Sequence, residues 1–411
     1  MDRRVAITGM GVITRDAPDL DAFRQVLGQG GNPPGLPCQF DSTAFRSKLG
    51  YPTDPEKTAR LLDAALRRHG EVLAAQPSDA EAACAANGLL AALDAVARAG
   101  LDAATLRGAG CAIGTTSGGM MDSFADLMET DSPDALAQVV APASAVDILA
   151  RVLGLSGPLC SFSCACISSL AALSYAFARI RSGDVDIMLA GGSDRMREAD
   201  FAGFNALRAM DRDSCRPFDE TRNGMMIGDG AAILVLEEEQ AARARGATPL
   251  AWLSGMGLAT DSHHITSPNP HGLTRAMQQA LAQARRAPGD IDYVNCHGTA
   301  TPLNDVAEAE ALRAVFGSHR PRPMISSTKG STGHLLGTAG AIETVATVLA
   351  LQTGDAPVMT TTHTPLETGF PLPLSGADRR IGGRIAMKNS LGFGGLNASL
   401  ILERCPETEA R

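Results

Sequence analysis

Hydrophobic and polar positions alternate between two periods along this chain. Short apolar or β-branched runs ending in Gly, Asn or Ser predict strands over 4–9, 109–114, 186–191, 231–237, 291–296 and 323–327, with a terminal pair over 384–390 and 397–403. Between them, Ala/Leu-rich segments predict helices over 78–99, 166–182, 272–286, 303–316 and 337–353. The first of these opens on Ser78-Asp79-Ala80-Glu81, the residues of a capping box. Strands that alternate with helices predict an α/β fold. A charged Ala/Arg-rich stretch, Glu237 to Gly246, divides the chain into a half at 1–246 and a half at 247–411. The halves show a faint common order, in which a strand leads to a reactive side chain, then a helix, then further strands. Segments 28–58 and 211–224, rich in Gly, Pro and charge, read as surface loops.

Composition narrows the class. With 411 residues, 45% of them hydrophobic, the chain can bury one large core or two closely packed ones. Aromatics make up only 4%, so Leu, Val, Ile, Met and Ala must fill the interior. The N-terminal run Arg3-Arg4-Val5-Ala6-Ile7-Thr8-Gly9 reads as a first strand and not a signal peptide. No apolar run is expected to reach the roughly 20 residues of a membrane span. Nine cysteines without regular spacing suggest free thiols in a reducing, cytoplasmic compartment. A net charge of −9 disfavours nucleic acid as a partner.

Candidate chemistry begins at Cys166. It lies in Gly157-Pro158-Leu159-Cys160-Ser161-Phe162-Ser163-Cys164-Ala165-Cys166-Ile167-Ser168-Ser169, where a short strand meets a small-residue turn and a long helix. A helix N-terminus offers N–H groups and a dipole that favour a thiolate, which makes Cys166 a candidate nucleophile. Farther on, Tyr293-Val294-Asn295-Cys296-His297-Gly298-Thr299 delivers His297 at the end of a strand. A second strand delivers Lys329; His334 follows in the same glycine-containing turn, and Glu343 falls on the helix behind it. Each residue alone has a plainer explanation. Buried cysteines such as Cys84, Cys111 and Cys160 are mostly small core residues, His263, His264 and His271 read as a solvated loop, and an isolated Glu343 would be a salt-bridge partner. Cys160, Cys164 and Cys166 have poor spacing for zinc, so no metal site is expected. Taken together, a thiol, two histidines and a lysine suit a different task. The thiol can hold an acyl group, while two neutral imidazoles donate to a thioester oxygen as CO2 departs.

These segments resemble the β-ketoacyl-acyl carrier protein synthases, in the elongating type II branch and its type II polyketide relatives. The resemblance spans nearly the whole chain. It rests on Arg3–Gly11, the Ala165-Cys166-Ile167-Ser168-Ser169 elbow, Asp184–Asp194, Arg216–Ala231, His297-Gly298-Thr299-Ala300-Thr301-Pro302, Ser327-Thr328-Lys329 to Gly333-His334, and Asn389–Ala398. It implies the thiolase fold, two similar α/β halves in a five-layer αβαβα arrangement. It implies Cys166 as the acylated nucleophile, His297 and His334 as the decarboxylation pair, Lys329 and Glu343 as their electrostatic support, and Phe393 as a gate. The backbone N–H groups of Cys166 and Phe393 would form an oxyanion hole. Thr266, Thr299, Thr301 and Phe204 would line the pantetheine and acyl site, and Ser117 would stand at the acyl-channel gate.

The implied partner is an acyl carrier protein that supplies the phosphopantetheine arm, with no tightly bound cofactor in the enzyme. Arg60, Arg67 and Arg68, or Arg208 and Arg212, are the candidate docking residues for that acidic protein. A homodimer is implied, or a heterodimer with a chain-length-factor-like subunit. Ile167, Leu391 and Leu396 depart from the family pattern, as does Ser117, and these departures bear on the acyl substrate. Three rivals remain: a thiolase, disfavoured because no cysteine lies between His297 and Cys405; a non-decarboxylating acyltransferase; and a noncatalytic chain-length subunit, disfavoured by Cys166 itself. The wording of the His297 loop looks closer to polyene-type secondary metabolism than to housekeeping lipid synthesis.

Overall fold

The computed structural model describes residues 3–116, 118 and 144–406. Its strands are β1 (Val5–Thr14), β2 (Gly110–Gly114), β3 (Leu159–Phe162), β4 (Ile187–Asp194), β5 (Gly230–Glu238), β6 (Ala251–Thr260), β7 (Tyr293–Asn295), β8 (Met324–Ser326), β9 (Ile385–Gly392) and β10 (Leu396–Arg404). The helices are α1 (Leu20–Gln29), α2 (Pro55–Arg68), α3 (Asp79–Ala99), α4 (Ala103–Leu106), α5 (Ser144–Leu153), α6 (Ser168–Ser182), α7 (Glu198–Ala206), α8 (Glu239–Ala244), α9 (Pro270–Ala284), α10 (Asn304–Phe316), α11 (Lys329–Thr332) and α12 (Ala339–Thr353).

The strands hydrogen-bond in the order β3-β2-β4-β5-β1-β6-β10-β9-β7-β8. Read outward from the β1–β6 junction, each side has the same sequence of strands, and the first five match the second five one for one. The directions match too. β2 is parallel to β3 and β4, as β7 is to β8 and β9, while β4–β5–β1 and β9–β10–β6 are antiparallel. Only a short ladder joins the two sides, Val5 to Leu253, Ala6 to Trp252 and Ile7 to Ala251. α3 and α5 cover one outer face, α9 and α10 the other, and α6 and α12 pack on each other between the sheets. This is the expected five-layer arrangement. α12 is buried on every side from Ala339 to Leu351, as a central-layer helix must be.

The repeat is written in glycines. Gly9 and Gly11 of β1 lie against α3, where a Cβ would sit 2.3 Å from the Ala95 carbonyl oxygen and 2.0 Å from that of Ala91. Gly255 and Gly257 of β6 meet α9 in the same way, at 2.3 Å from Ala280 O and 2.0 Å from Ala276 O. Backbone cannot yield as a flexible side chain can, so these two strands need glycine for the helices to pack this closely.

The sequence-based expectations need correction at several points. α6 begins at Ser168 and not at 166, so Cys166 sits just ahead of the helix. β6 was not expected, because its paired glycines interrupt the apolar pattern by which strands were recognised. α1, α5 and α7 were not expected either, and α2 starts inside the predicted 28–58 loop, with Asp54 accepting from Glu56 N at 2.9 Å and Lys57 N at 3.1 Å. The charged stretch after Glu237 holds the end of β5 and the short α8. The capping box is present, with Ser78 N donating to Glu81 at 2.8 Å and Glu81 N to Ser78 Oγ at 3.4 Å. Contrary to expectation, Glu81–Ala99 is long and apolar enough to cross a membrane by length and composition; in the fold it packs on β1 and β5.

Gly257→Ala is expected to cost about 1–3 kcal/mol through overpacking against α9. Denaturant unfolding measures it, and Gly11→Ala should show a loss of similar size.

Candidate active site

Cys166 is aimed by a strained turn. Ala165 is held at a φ of 49°, and the turn is pinned by Ser168, whose hydroxyl accepts from Cys164 N at 2.8 Å and donates to Ala165 O at 2.6 Å. The thiol is 8% exposed. Burial pushes it up to about 11, while the charge of Lys329 and the backbone N–H of Phe393, which points at the sulfur, pull the other way. Burial wins. The expectation of a thiolate favoured by the helix terminus is therefore corrected: the resting group is a thiol.

His297 ends β7, and its loop is fixed from α10. His297 N and Gly298 N each donate to the Glu308 carboxylate at 2.8 Å. Asp305, on the same helix face, accepts from Ala300 N at 3.1 Å and Phe218 N at 2.7 Å. Burial lifts the Glu308 carboxyl to about 7, against those N–H groups and the charge of Lys388.

His334 donates its own backbone N–H to Met226 O at 2.7 Å. Its Nδ1 accepts from Leu336 N at 3.0 Å, which leaves the ring proton on Nε2. Lys329 Nζ lies 3.3 Å from His297 Nδ1 and donates to His297 O at 2.5 Å, so an ammonium there gives His297 the same tautomer. The two rings stand 5.2 Å apart at 87°. Burial first, then Lys329 and Lys388, hold both imidazoles well below the usual histidine range, with His334 acting on His297 as well.

One donor atom from each of Cys166, His297 and His334 lies within 4.8 Å of the others, close enough for three metal ligands. The positive charge that depresses both histidines also opposes a cation, so the set fits anionic chemistry better.

Behind the histidines, Glu343 forms ion pairs with Lys329 and, at 2.7 Å, with Lys388. All three side chains are at most 1% exposed. Sequence reasoning found Lys329 and Glu343 but missed Lys388 and Glu308. A lysine within β9, and acids three residues apart at 305 and 308 on a predicted helix, were the available signals.

In front, a cleft brings together Cys166, both histidines, Phe204, Thr266, Thr299, Thr301 and Phe393. Thr299 and Thr301 share a hydroxyl contact of 2.9 Å, and the Phe204 and Phe393 rings pack 5.9 Å apart. His264 borders the cleft, its Nδ1 accepting from Thr266 N and Ser267 N, each at 3.1 Å. Ser117 lies outside the described residues.

Of the arginines, Arg208 is exposed beside Ala209, which borders the cleft, and Arg212 is exposed four residues on. Arg60, Arg67 and Arg68 lie on α2, which borders a different cavity, and the fold does not bring them to this cleft. Arg60 and Arg67 also pair with Glu56 and Asp63 of their own helix.

A thiol, two donor imidazoles and a buried cation, set where two equivalent α/β halves meet, define a thiolase-fold acyl-condensing enzyme. Residues 2–242 match the Beta-ketoacyl synthase N-terminal domain and residues 250–363 the Beta-ketoacyl synthase C-terminal domain. The chain belongs to the β-ketoacyl synthase family. It is 32% identical to the 3-oxoacyl-[acyl-carrier-protein] synthase 2 of Coxiella burnetii, over 98% of this chain and 99% of that one. Nodulation protein E of Rhizobium meliloti is 39% identical over 64% of this chain and 66% of its own length. Among solved structures, the ishigamide ketosynthase/chain length factor aligns with a TM-score of 0.86 and 30% identity, over 99% of this chain and all of that one. A type II PKS acyl-carrier protein in complex with its ketosynthase bound to the hexaketide aligns with a TM-score of 0.84 and 25% identity, over 98% of this chain and 100% of that one.

Because the thiol sits near 11, its alkylation by a small haloacetamide should accelerate about tenfold per pH unit between about pH 7 and 9. A rate already flat across that range would show a thiolate at rest.

Proposed function

We propose that the protein extends an acyl chain by two carbons through decarboxylative Claisen condensation, in fatty acid or polyketide biosynthesis, with Cys166, His297 and His334 as its catalytic residues. The observation that carries this is the pair of buried, neutral imidazoles with Nε2 protons, set beside a buried thiol.

In the first half-reaction Cys166 Sγ attacks the thioester carbonyl of an acyl carrier protein. A new C–S bond forms, the carrier's phosphopantetheine thiol leaves with the proton, and the acyl group stays on the enzyme. Malonyl carrier protein then enters the same cleft, past Phe204, Phe393 and the hydroxyls of Thr266, Thr299 and Thr301. Its thioester oxygen accepts from His297 and His334. The bond to the carboxylate breaks, CO2 departs, and the electron pair is held as an enolate. The enolate carbon attacks the acyl carbonyl on Cys166. The resulting oxyanion is held by the N–H groups of Cys166 and Phe393, and collapse expels the cysteine sulfur and frees a 3-ketoacyl carrier protein. Lys329 and Glu343 act through His297. The chemistry needs no tightly bound cofactor, since the pantetheine arm arrives with the carrier.

We divide the chain into halves at 1–246 and 247–411, a reading supported by the matching strand orders. For carrier docking Arg208, with Arg212 near it in the chain, is favoured over Arg60, Arg67 and Arg68, because it is exposed and adjoins Ala209, which borders the cleft. Assembly as a homodimer, or with a chain-length-factor-like subunit, is supported by structural relatives such as a ketosynthase in complex with its chain length factor from Xenorhabdus doucetiae, at a TM-score of 0.79 and 25% identity. The nine cysteines, all among the described residues, form no disulfide, which supports a cytoplasmic location.

Intact mass spectrometry with a panel of acyl carrier proteins should show an acyl adduct that is absent in Cys166→Ala. CO2 release from malonyl carrier protein should fall on the order of 10²–10³-fold in His297→Ala or His334→Ala. Acylation without CO2 release would favour a simple transferase, and no acylation at all a noncatalytic subunit. Arg208→Glu should raise KM for the carrier and flatten its salt dependence, leaving acylation from small thioesters unchanged.

A further inference from the structure

We propose that Lys388 is a positioning residue of the condensing site: it occupies one oxygen of Glu343 and thereby leaves the cluster behind His297 and His334 with a net positive charge. The inference rests on the condensation proposed above.

β9 alternates faces along its length. Met387 and Leu391 pack with the apolar residues of α9 and α10, and Asn389 Nδ2 lies 3.4 Å from Met277 of α9. Lys388 and Ala386 therefore point to the opposite, central layer, where Ala386 packs among α6 and α12. An ammonium in that layer is costly unless paired, and an unbranched apolar side chain would fill the same space. Lys388 is fully buried, 2.7 Å from Glu343 Oε2, and donates to the carbonyl of Asn389. Glu343 gives its other oxygen to Lys329, which contacts His297.

The charge count follows. Among the ion-paired groups, Lys329 and Lys388 against Glu343 leave one positive charge, and Lys329 with Glu343 alone is neutral; Glu308, which burial lifts to about 7, offsets that charge only in its ionised form. The proposed reaction develops negative charge on an enolate, on a tetrahedral oxyanion and on the departing cysteine sulfur. A surplus cation favours each of these and disfavours imidazolium at His297 and His334. The charged or titratable groups facing Lys388 are Glu343 on α12, Lys329 on α11, Glu308 on α10 and Cys296 after β7, with the two histidines beyond.

Removing the cation makes imidazolium easier to form, so the histidine pKa values rise. In Lys388→Met the acid limb of CO2 release from malonyl carrier protein should move up by about one pH unit, with the rate near neutrality down about tenfold. The double variant Lys388→Met/Glu343→Gln restores one net positive charge through Lys329, and its limb should return toward that of the wild type. Lys388→Arg keeps the charge and should keep the limb, even where altered packing lowers the rate. A limb unmoved in a folded Lys388→Met protein, or moved equally by Met and Arg, would assign Lys388 to packing alone and overturn the inference. Side-chain nitrogen shifts of His297 and His334 follow the same titration without turnover. If the wild type releases no CO2, the condensing function fails, while those shifts still decide the role of Lys388.

Discussion

Glu343 is the hinge of the site's electrostatics. It projects from α12, buried from Ala339 to Leu351, and is shared between two lysines delivered by separate elements, α11 and β9. Two ammonium groups in an apolar layer depend on the one carboxylate they share: removing it leaves two buried cations without a counter-charge, whereas removing one lysine leaves a neutral pair. The set also reaches outward. Lys329 contacts His297 through both its ring nitrogen and its carbonyl, and burial with the same cations keeps both histidines neutral. A neutral imidazole with its proton on Nε2 can donate to a thioester oxygen at the pH where the protein works.

The pseudo-symmetric fold explains why these groups meet. Cys166 follows β3 and Lys329 follows β8, which are equivalent strands of the two halves, and the helices after them, α6 and α12, are the pair that forms the central layer. Chain ends of matched strands thus open on one junction. Asp194, at the end of β4, ties the halves together there: it accepts from Thr115 Oγ1 and Thr116 N at 2.8 Å on one side and from Thr338 N at 3.0 Å on the other. The His334 turn is thereby braced against the first half. The same burial that would protect the proposed acyl-enzyme and enolate from water raises the Cys166 thiol, against the opposing pull of Lys329 and the Phe393 N–H.

Much of this was legible in the sequence. The strand and helix pattern announced an α/β fold, the capping box marked the start of α3, and Cys166, His297, Lys329 and His334 stood out because each ends a strand or opens a glycine turn. What escaped was hidden by local pattern. β6 went unseen because Gly255 and Gly257, required by the approach of α9, look like turn residues. Lys388 reads as the first of three polar residues in β9, ahead of Asn389 and Ser390, and nothing local tells that its neighbour is Glu343, far away in the chain on another layer.

By itself, then, the sequence determined which residues are candidates for the chemistry and where the backbone would present them, since periodicity and turn residues act over a few positions. Only the tertiary structure decided their protonation and their company. Burial turned an expected thiolate into a thiol near 11, the Leu336 N–H chose the tautomer of His334, and the packing of β9 against α12 set Lys388 beside Glu343. It also separated the arginines of α2 from the cleft that Arg208 flanks. Desolvation and pairing depend on what the whole chain brings near a group, and no short window of residues contains that information.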